Sequence, residues 1–215
     1  MSRQIDWYFD FISPFAYLQS QTLHEQLPSE SRLRCRPVLF AGLLSHWQHK
    51  GPAELPTKRR FTYRHVQWLA RRHGVPLRFP PTHPFHPVRA LRLAVALGCR
   101  PEVVDTIFTF IWAEGRDPNE PAAWRELAQR LGVADADALV NAPEVKAQLK
   151  RFGEEALAAG VFGVPSLVID GELFWGFDAT AMARDFLEDP SWLHSGEFRR
   201  IDELPAGIMR KEASG

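Results

Sequence analysis

Between Gln4 and Phe11, apolar side chains recur at every second position: Ile5, Trp7, Phe9 and Phe11. Period two buries one face, so the segment predicts a strand. The pattern breaks at Ser13-Pro14, where proline suits the first turn of a helix and the serine before it is a natural N-cap. A helix is predicted from Pro14 to about Leu27, with Ala16, Leu18, Leu23 and Leu27 among its apolar positions. Leu33 to Leu39 reads as a second strand. Phe40 to Pro56 holds Gly42, Gly51, Pro52 and Pro56 and reads as looser chain. A helical pattern returns at Thr57 and runs to about His73, where Gly74 stops it. Five prolines between Pro76 and Pro87 predict an extended stretch. Four further helices follow, over Val88–Leu97, Glu102–Ala113, Pro121–Leu131 and Asp135–Ala159, punctuated by Gly98, Gly115, Gly132 and Gly160. Gly163 to Asp170 then reads as a strand entered through Pro165. Asp170-Gly171 is a hairpin turn, and Leu173–Trp175 the partner strand. Asp178 is expected to cap a helix reaching about Leu187. From Gly196 the charged chain reads as a tail.

A β-α-β opening, an all-helical block and a β-β-α ending is the order of an α/β chain with a thioredoxin-like fold and a large all-helical insertion. Residues 1–45 and 160–195 would form the thioredoxin-like part, 46–159 the insertion and 196–215 the tail. A length of 215 residues suits one domain with such an insertion. The 26 Lys and Arg balance 26 Asp and Glu, which argues against a nucleic-acid partner, since displacing counterions needs a basic surplus. No apolar run approaches a membrane span, and Met1 to Asp6 lacks the apolar region of a signal peptide. Cys35 and Cys99 are far apart and in no C-x-x-C, which excludes a dithiol motif and a cysteine-rich zinc site. The histidine pairs 46/49 and 83/86 have no carboxylate or cysteine at metal-binding spacing, so no metal is expected. A reduced, cytoplasmic setting is the default. In such a fold, a proline at the mouth of a strand, as in Val164-Pro165, fits a cis bond.

Two motifs carry a family resemblance. Asp6-Trp-Tyr-Phe-Asp-Phe-Ile-Ser-Pro-Phe-Ala-Tyr-Leu18 resembles the opening of the bacterial 2-hydroxychromene-2-carboxylate isomerases. Gly160-Val-Phe-Gly-Val-Pro-Ser-Leu-Val-Ile-Asp-Gly-Glu-Leu-Phe-Trp-Gly-Phe-Asp178 resembles their second signature. Gly51-Pro52, Lys58, Gly74-Val-Pro76 and Phe79-Pro80 match in outline, so the resemblance spans about residues 4–190. That family groups with the kappa-class glutathione transferases and shares the fold of DsbA. It implies glutathione as cofactor, an aromatic keto acid as small-molecule substrate and a homodimer.

Local sequence and resemblance together nominate the site. Ser13 sits at the strand-to-helix corner where redox relatives hold a cysteine. From local sequence it reads as a helix cap. The resemblance makes it the catalytic hydroxyl that favours a glutathione thiolate, helped by the helix dipole. By the same resemblance, Val164 and Pro165 would pair with the cysteinyl part of glutathione through backbone groups. Phe177, Asp178 and Ala179 would hold its γ-glutamyl end. Ala179 stands where the family usually has arginine or serine, leaving the backbone N–H groups of Ala179 and Thr180 for the carboxylate. Lys58 would meet a carboxylate of glutathione or of substrate. Phe15 would edge an apolar acceptor pocket, and His83 and His86 would face the substrate or move a proton.

The implied reaction is a cis–trans change about a conjugated double bond. A thiolate adds to the enone, the former double bond rotates, and the thiolate is expelled. Two alternatives remain: a kappa-type transferase or peroxidase using the same thiolate, and a thiol-binding protein without turnover. A disulfide oxidoreductase is excluded, because Ser13-Pro-Phe-Ala16 contains no cysteine.

Overall fold

The computed structural model describes residues 3–207. One sheet contains β1 (Gln4–Phe9), β2 (Arg32–Pro37), β3 (Ser166–Ile169) and β4 (Glu172–Trp175), in the order β2-β1-β3-β4. Helix α1 (Pro14–Gln26) joins the parallel pair β1 and β2, while β1–β3 and β3–β4 are antiparallel. Distant parts of the chain therefore meet at the centre of the sheet.

The helices between β2 and β3 are α2 (Phe40–His46), α3 (Pro56–Arg72), α4 (Val88–Ala96), α5 (Pro101–Phe108), α6 (Pro121–Arg130), α7 (Ala136–Asn141) and α8 (Pro143–Ala158). After β4 come α9 (Thr180–Glu188), a 3-10 turn over Pro190–His194 and α10 (Gly196–Asp202).

The sheet and the helical block share one core. Ile5, Trp7 and Phe9 of β1 pack with Tyr17 and Leu18 of α1 and with Val104, Ile107 and Phe108 of α5. The Trp7 and Phe9 rings stack at 4.3 Å, and Phe108 lies 4.7 Å from Phe11 and 5.4 Å from Phe9. The alternation along β1 predicts one buried face, but both are covered. Tyr8, on the other face, packs with Val38, Leu43, Phe152, Val161 and Val164, under α2 and α8.

Several expectations need correction. Phe40–Pro56 is not loose throughout. It opens with α2, which the sequence hid because Leu39 offers no capping side chain. The long helix expected over Asp135–Ala159 is two helices, because Ala142 ends α7 and Pro143 is the first residue of α8. The helix expected to Ala113 turns π-helical over Thr109–Ala113. The tail from Gly196 begins with α10, and its residues 208–215 lie outside the described residues. The hairpin turn does form at Asp170 and Gly171, both with positive φ, 51° and 91°.

Candidate active site

The β1-to-α1 corner is fastened residue by residue. Asp10 is fully buried, and its carboxylate accepts from the N–H of Ile12 (3.1 Å) and from the N–H of Phe40 at the start of α2 (2.9 Å). Trp112, in the π-helical turn, donates its indole N–H to the Phe11 carbonyl at 2.8 Å. His83 donates to the Ile12 carbonyl at 2.8 Å. That carbonyl can only accept, so Nε2 of His83 carries the proton and Nδ1 accepts from the Tyr63 hydroxyl at 2.6 Å. The start of α2 and two parts of the insertion thus hold the corner that presents Ser13.

Ser13 is buried and caps α1. Its Oγ accepts from the Ala16 N–H at 3.2 Å, and its carbonyl accepts from Tyr17 N–H at 3.2 Å. No acceptor among the described residues takes the hydroxyl's own hydrogen. The cap and the free donor coexist, so the helix end does not use up the hydroxyl.

Antiparallel pairing brings the second motif alongside. Tyr8 faces Ser166 in the last pair of that ladder, so the Val164–Pro165 segment leads into β3 beside the end of β1 from which the Ser13 corner departs. The Val164–Pro165 bond is cis. Pro165 accepts from Gly176 N–H at 2.9 Å, whereas Val164 has no backbone partner among the described residues. A nearly buried residue with both backbone groups unpaired is unusual inside a protein.

A buried polar chain ties this side to α1. Trp7 donates to the Gln19 side-chain carbonyl at 2.8 Å. The Gln19 amide donates to Thr180 Oγ1 at 2.9 Å and to the Gly176 carbonyl at 3.2 Å. Gln19 is fully buried, so this chain fixes residues 176–180 against the helix that begins at Ser13.

Asp178 does not cap α9 as expected. The helix starts at Thr180 after an Ala179 cap without a side-chain bond, and Thr180 Oγ1 donates to the Phe177 carbonyl at 2.7 Å. The Asp178 carboxylate leans toward Gly176 instead: a Cβ there would lie 2.8 Å from Asp178 Oδ1. With φ of 98°, Gly176 suits this position on both counts. Asp178 is exposed and has no ion-pair partner among the described residues.

Helix α3 borders the site from the insertion. Phe15, half-buried, has its ring 6.0 Å from His65, and Phe177 meets His73 at 5.2 Å. Lys58 is exposed in the first turn of α3, and His86 is exposed on its loop. His83 is corrected from a substrate-facing group to a strut, since both ring nitrogens are engaged within the protein. Burial also pushes its pKa down, which keeps the ring neutral.

Burial pushes the Asp10 carboxyl up to about 7, against the opposing pull of its backbone donors. Burial likewise pushes the Cys35 thiol up to about 12 and Cys99 up to about 11, so neither offers a thiolate near neutral pH. No cluster of three or more metal-ligating side chains occurs among the described residues. A groove of about 650 Å³ lies along the C-terminal half of α1, between Ser20, His24, Glu102 and Asp105, and shares none of the residues around Ser13.

Sequence reasoning did not single out Asp10, Gln19, Tyr63 or Trp112. Asp10 carried a signal, as a charged residue inside an apolar run three positions before Ser13. The others act through partners 12 to 161 positions away, which local pattern does not register.

The model of the DsbA-like thioredoxin domain matches residues 4–188. A 2-hydroxychromene-2-carboxylate isomerase of Sphingobium xenophagum is 30% identical over 88% of this chain and 100% of its own. The kappa 1 glutathione S-transferase of Rattus norvegicus is 25% identical over 84% of this chain and 88% of its own. The solved structure of a 2-hydroxychromene-2-carboxylate isomerase superposes with a TM-score of 0.74 at 22% identity, covering 94% of this chain and 100% of that one. With its serine-bearing corner, cis-proline strand and near full-length match, the chain belongs to the 2-hydroxychromene-2-carboxylate isomerase family of DsbA-like thioredoxin domains.

Proposed function

We propose that this chain is a glutathione-dependent isomerase of an aromatic unsaturated keto acid, of the 2-hydroxychromene-2-carboxylate type. One observation carries the reading: the Ser13 hydroxyl hydrogen is uncommitted at a helix N-terminus, in a protein whose own thiols are held protonated. The unpaired backbone of Val164 and the exposed Asp178 carboxylate complete a donor and acceptor set that suits a cysteinyl peptide with a free ammonium.

When bound, glutathione would supply a thiolate nucleophile for reversible addition to the conjugated double bond. Ser13 donates a hydrogen bond toward the sulfur, and the positive end of the α1 dipole favours its charge. Val164 orients the cysteinyl unit through its N–H and carbonyl, beside cis-Pro165. Asp178 meets the γ-glutamyl ammonium, flanked by Phe177 and by the Ala179 N–H. Lys58 meets a carboxylate. Phe15 lines the flat acceptor site, and His86 is the histidine left to contact substrate. A homodimer in a cytoplasmic setting completes the reading. No helix among the described residues is long and apolar enough to cross a membrane.

The test follows the ultraviolet spectrum of 2-hydroxychromene-2-carboxylate with purified protein, with and without glutathione. Conversion is expected only with glutathione, falling about 100-fold or more in Ser13→Ala. Conversion that ignores glutathione or Ser13 overturns the reading. The kappa-class relative favours a second reading, a glutathione transferase, which a stable thioether product in place of isomerised acid would identify.

A further inference from the structure

The charge of this chain is unevenly spread. Across the whole sequence, 26 cations balance 26 acids. Many cations are paired: Arg34 and Arg36 on Asp6, Arg89 on Asp137, and Arg116 and Arg130 on Glu126. Helix α3 is different. Its 17 residues include Lys58, Arg59, Arg60, Arg64, Arg71 and Arg72, and no carboxylate. None of the six has an ion-pair partner among the described residues.

Helix stability accounts for only part of this set. Arg71 and Arg72 sit in the last turn, where the dipole favours cations, but Lys58 and Arg59 sit in the first turn, where it disfavours them, and Arg60 and Arg64 form a like-charge pair one turn apart.

Lys58, Phe61, His65, Trp68 and Arg72 recur at spacings of three and four, which sets them on one stripe. Phe61 is 67% exposed and Trp68 52%. The rings nonetheless form a ladder. Phe61 lies 5.6 Å from His65, and Trp68 lies 6.1 Å from His65, nearly parallel at 22°. The Arg72 guanidinium is 5.5 Å from the Trp68 ring. At its inner side the ladder meets Phe15, two residues after Ser13. The stripe is thus aromatic in the middle, cationic at both ends and continuous with the proposed reacting centre.

A flat π-surface flanked by unpaired guanidinium groups rewards a ligand that is flat, conjugated and negative. A bilayer would reward a broad aliphatic face, but the exposed flank of this stripe is Arg60, Arg64 and Arg71. A bilayer would also make no use of the path inward to Phe15. We propose that the α3 stripe from Lys58 to Arg72 is a capture site for planar aromatic carboxylates, passing them along Phe15 to Ser13. This deepens the function proposed above and rests on it for the fate of the captured acid.

The test measures binding alone, without glutathione or turnover. 1-Naphthoate is titrated into the protein by calorimetry beside the neutral 1-naphthalenemethanol. The carboxylate is expected to bind about tenfold more tightly than the alcohol, and to weaken from about 20 to about 200 mM salt. Phe61→Ala with Trp68→Ala should weaken both probes. Lys58→Gln with Arg72→Gln should remove the preference for the carboxylate and leave the alcohol unchanged. All four side chains are exposed or surface-lying, and circular dichroism checks that the variants fold. Equal binding of the two probes, or binding that ignores all four residues, overturns the proposal. So does capture of phosphatidylglycerol vesicles through these residues with no naphthoate binding, which would make α3 a membrane-docking face. Naphthoate binding in a protein that fails to isomerise would overturn the isomerase reading while keeping the capture site.

Discussion

Two surfaces flank Ser13 and are built in opposite ways. In the corner from Asp10 to Ser13, each of the first three residues is held by a separate long-range hydrogen bond, from Phe40, Trp112 and His83. Across the Phe15 ring, α3 carries six cations without ion-pair partners among the described residues and two large rings in water. The corner cannot shift without leaving buried polar groups unsatisfied. The helix face can be altered at little cost to the fold. A reacting hydroxyl needs the first kind of construction, because small misplacements cost rate. Choice of ligand suits the second kind, where substitution is tolerated.

The sharpest way to break this contrast is inside the buried network. Gln19→Leu leaves the Trp7 indole N–H, Thr180 and the Gly176 carbonyl without their partner. A loss of about 2–3 kcal/mol is expected in urea unfolding, with a lower midpoint and an unchanged slope. A loss under about 0.5 kcal/mol would mean that the 176–180 segment is not held through α1.

The second effect concerns pH. The folded-state pKa of Asp10 is raised to about 7, so the folded protein keeps a proton that the unfolded chain releases near 4. Between those values the unfolded state binds fewer protons, and stability falls as pH rises, by at most about 1.4 kcal/mol per pH unit. It levels off above about pH 7. Subtracting the profile of Asp10→Asn from that of the wild type isolates this contribution. A flat difference would contradict the burial argument.

Asp178→Asn sharpens the contrast from the ligand side. The carboxylate is exposed and has no ion-pair partner among the described residues, so the thermal midpoint should barely change while glutathione binding weakens about fivefold in calorimetry. The smallest effect belongs to α3. Phe61→Ser should alter unfolding free energy by less than about 0.5 kcal/mol, since the ring is mostly in solvent. A larger loss would make that face part of the fold rather than a surface for ligands.

What the sequence made legible follows the same division. Alternation along β1, the Ser13-Pro14 helix start and the hairpin at Asp170-Gly171 are local signals, and the structure has all three elements. The serine-bearing corner and the cis-proline strand were nominated as one site, and the antiparallel pairing of β1 with β3 brings them side by side. What was hidden depends on distance or on missing local cues. Helix α2 has no capping side chain, and the turn to π-helix at Thr109 leaves no mark in the pattern. The sequence points His83 toward substrate because its partners, Ile12 and Tyr63, come from other elements. Asp178 reads as a cap because aspartate often is one, but its carboxylate lies beside Gly176 and α9 starts after Ala179.

The central claim is that Ser13 serves a thiol the protein does not own. The direct measurement is the thiolate absorbance of bound glutathione as a function of pH, in the wild type and in Ser13→Ala. The account predicts that binding to the wild type pulls the thiol pKa at least about one unit below its free value near 8.5, and that the alanine variant binds glutathione but returns it close to that value. An equal pKa in both proteins would contradict it, and would leave Ser13 as a helix cap alone.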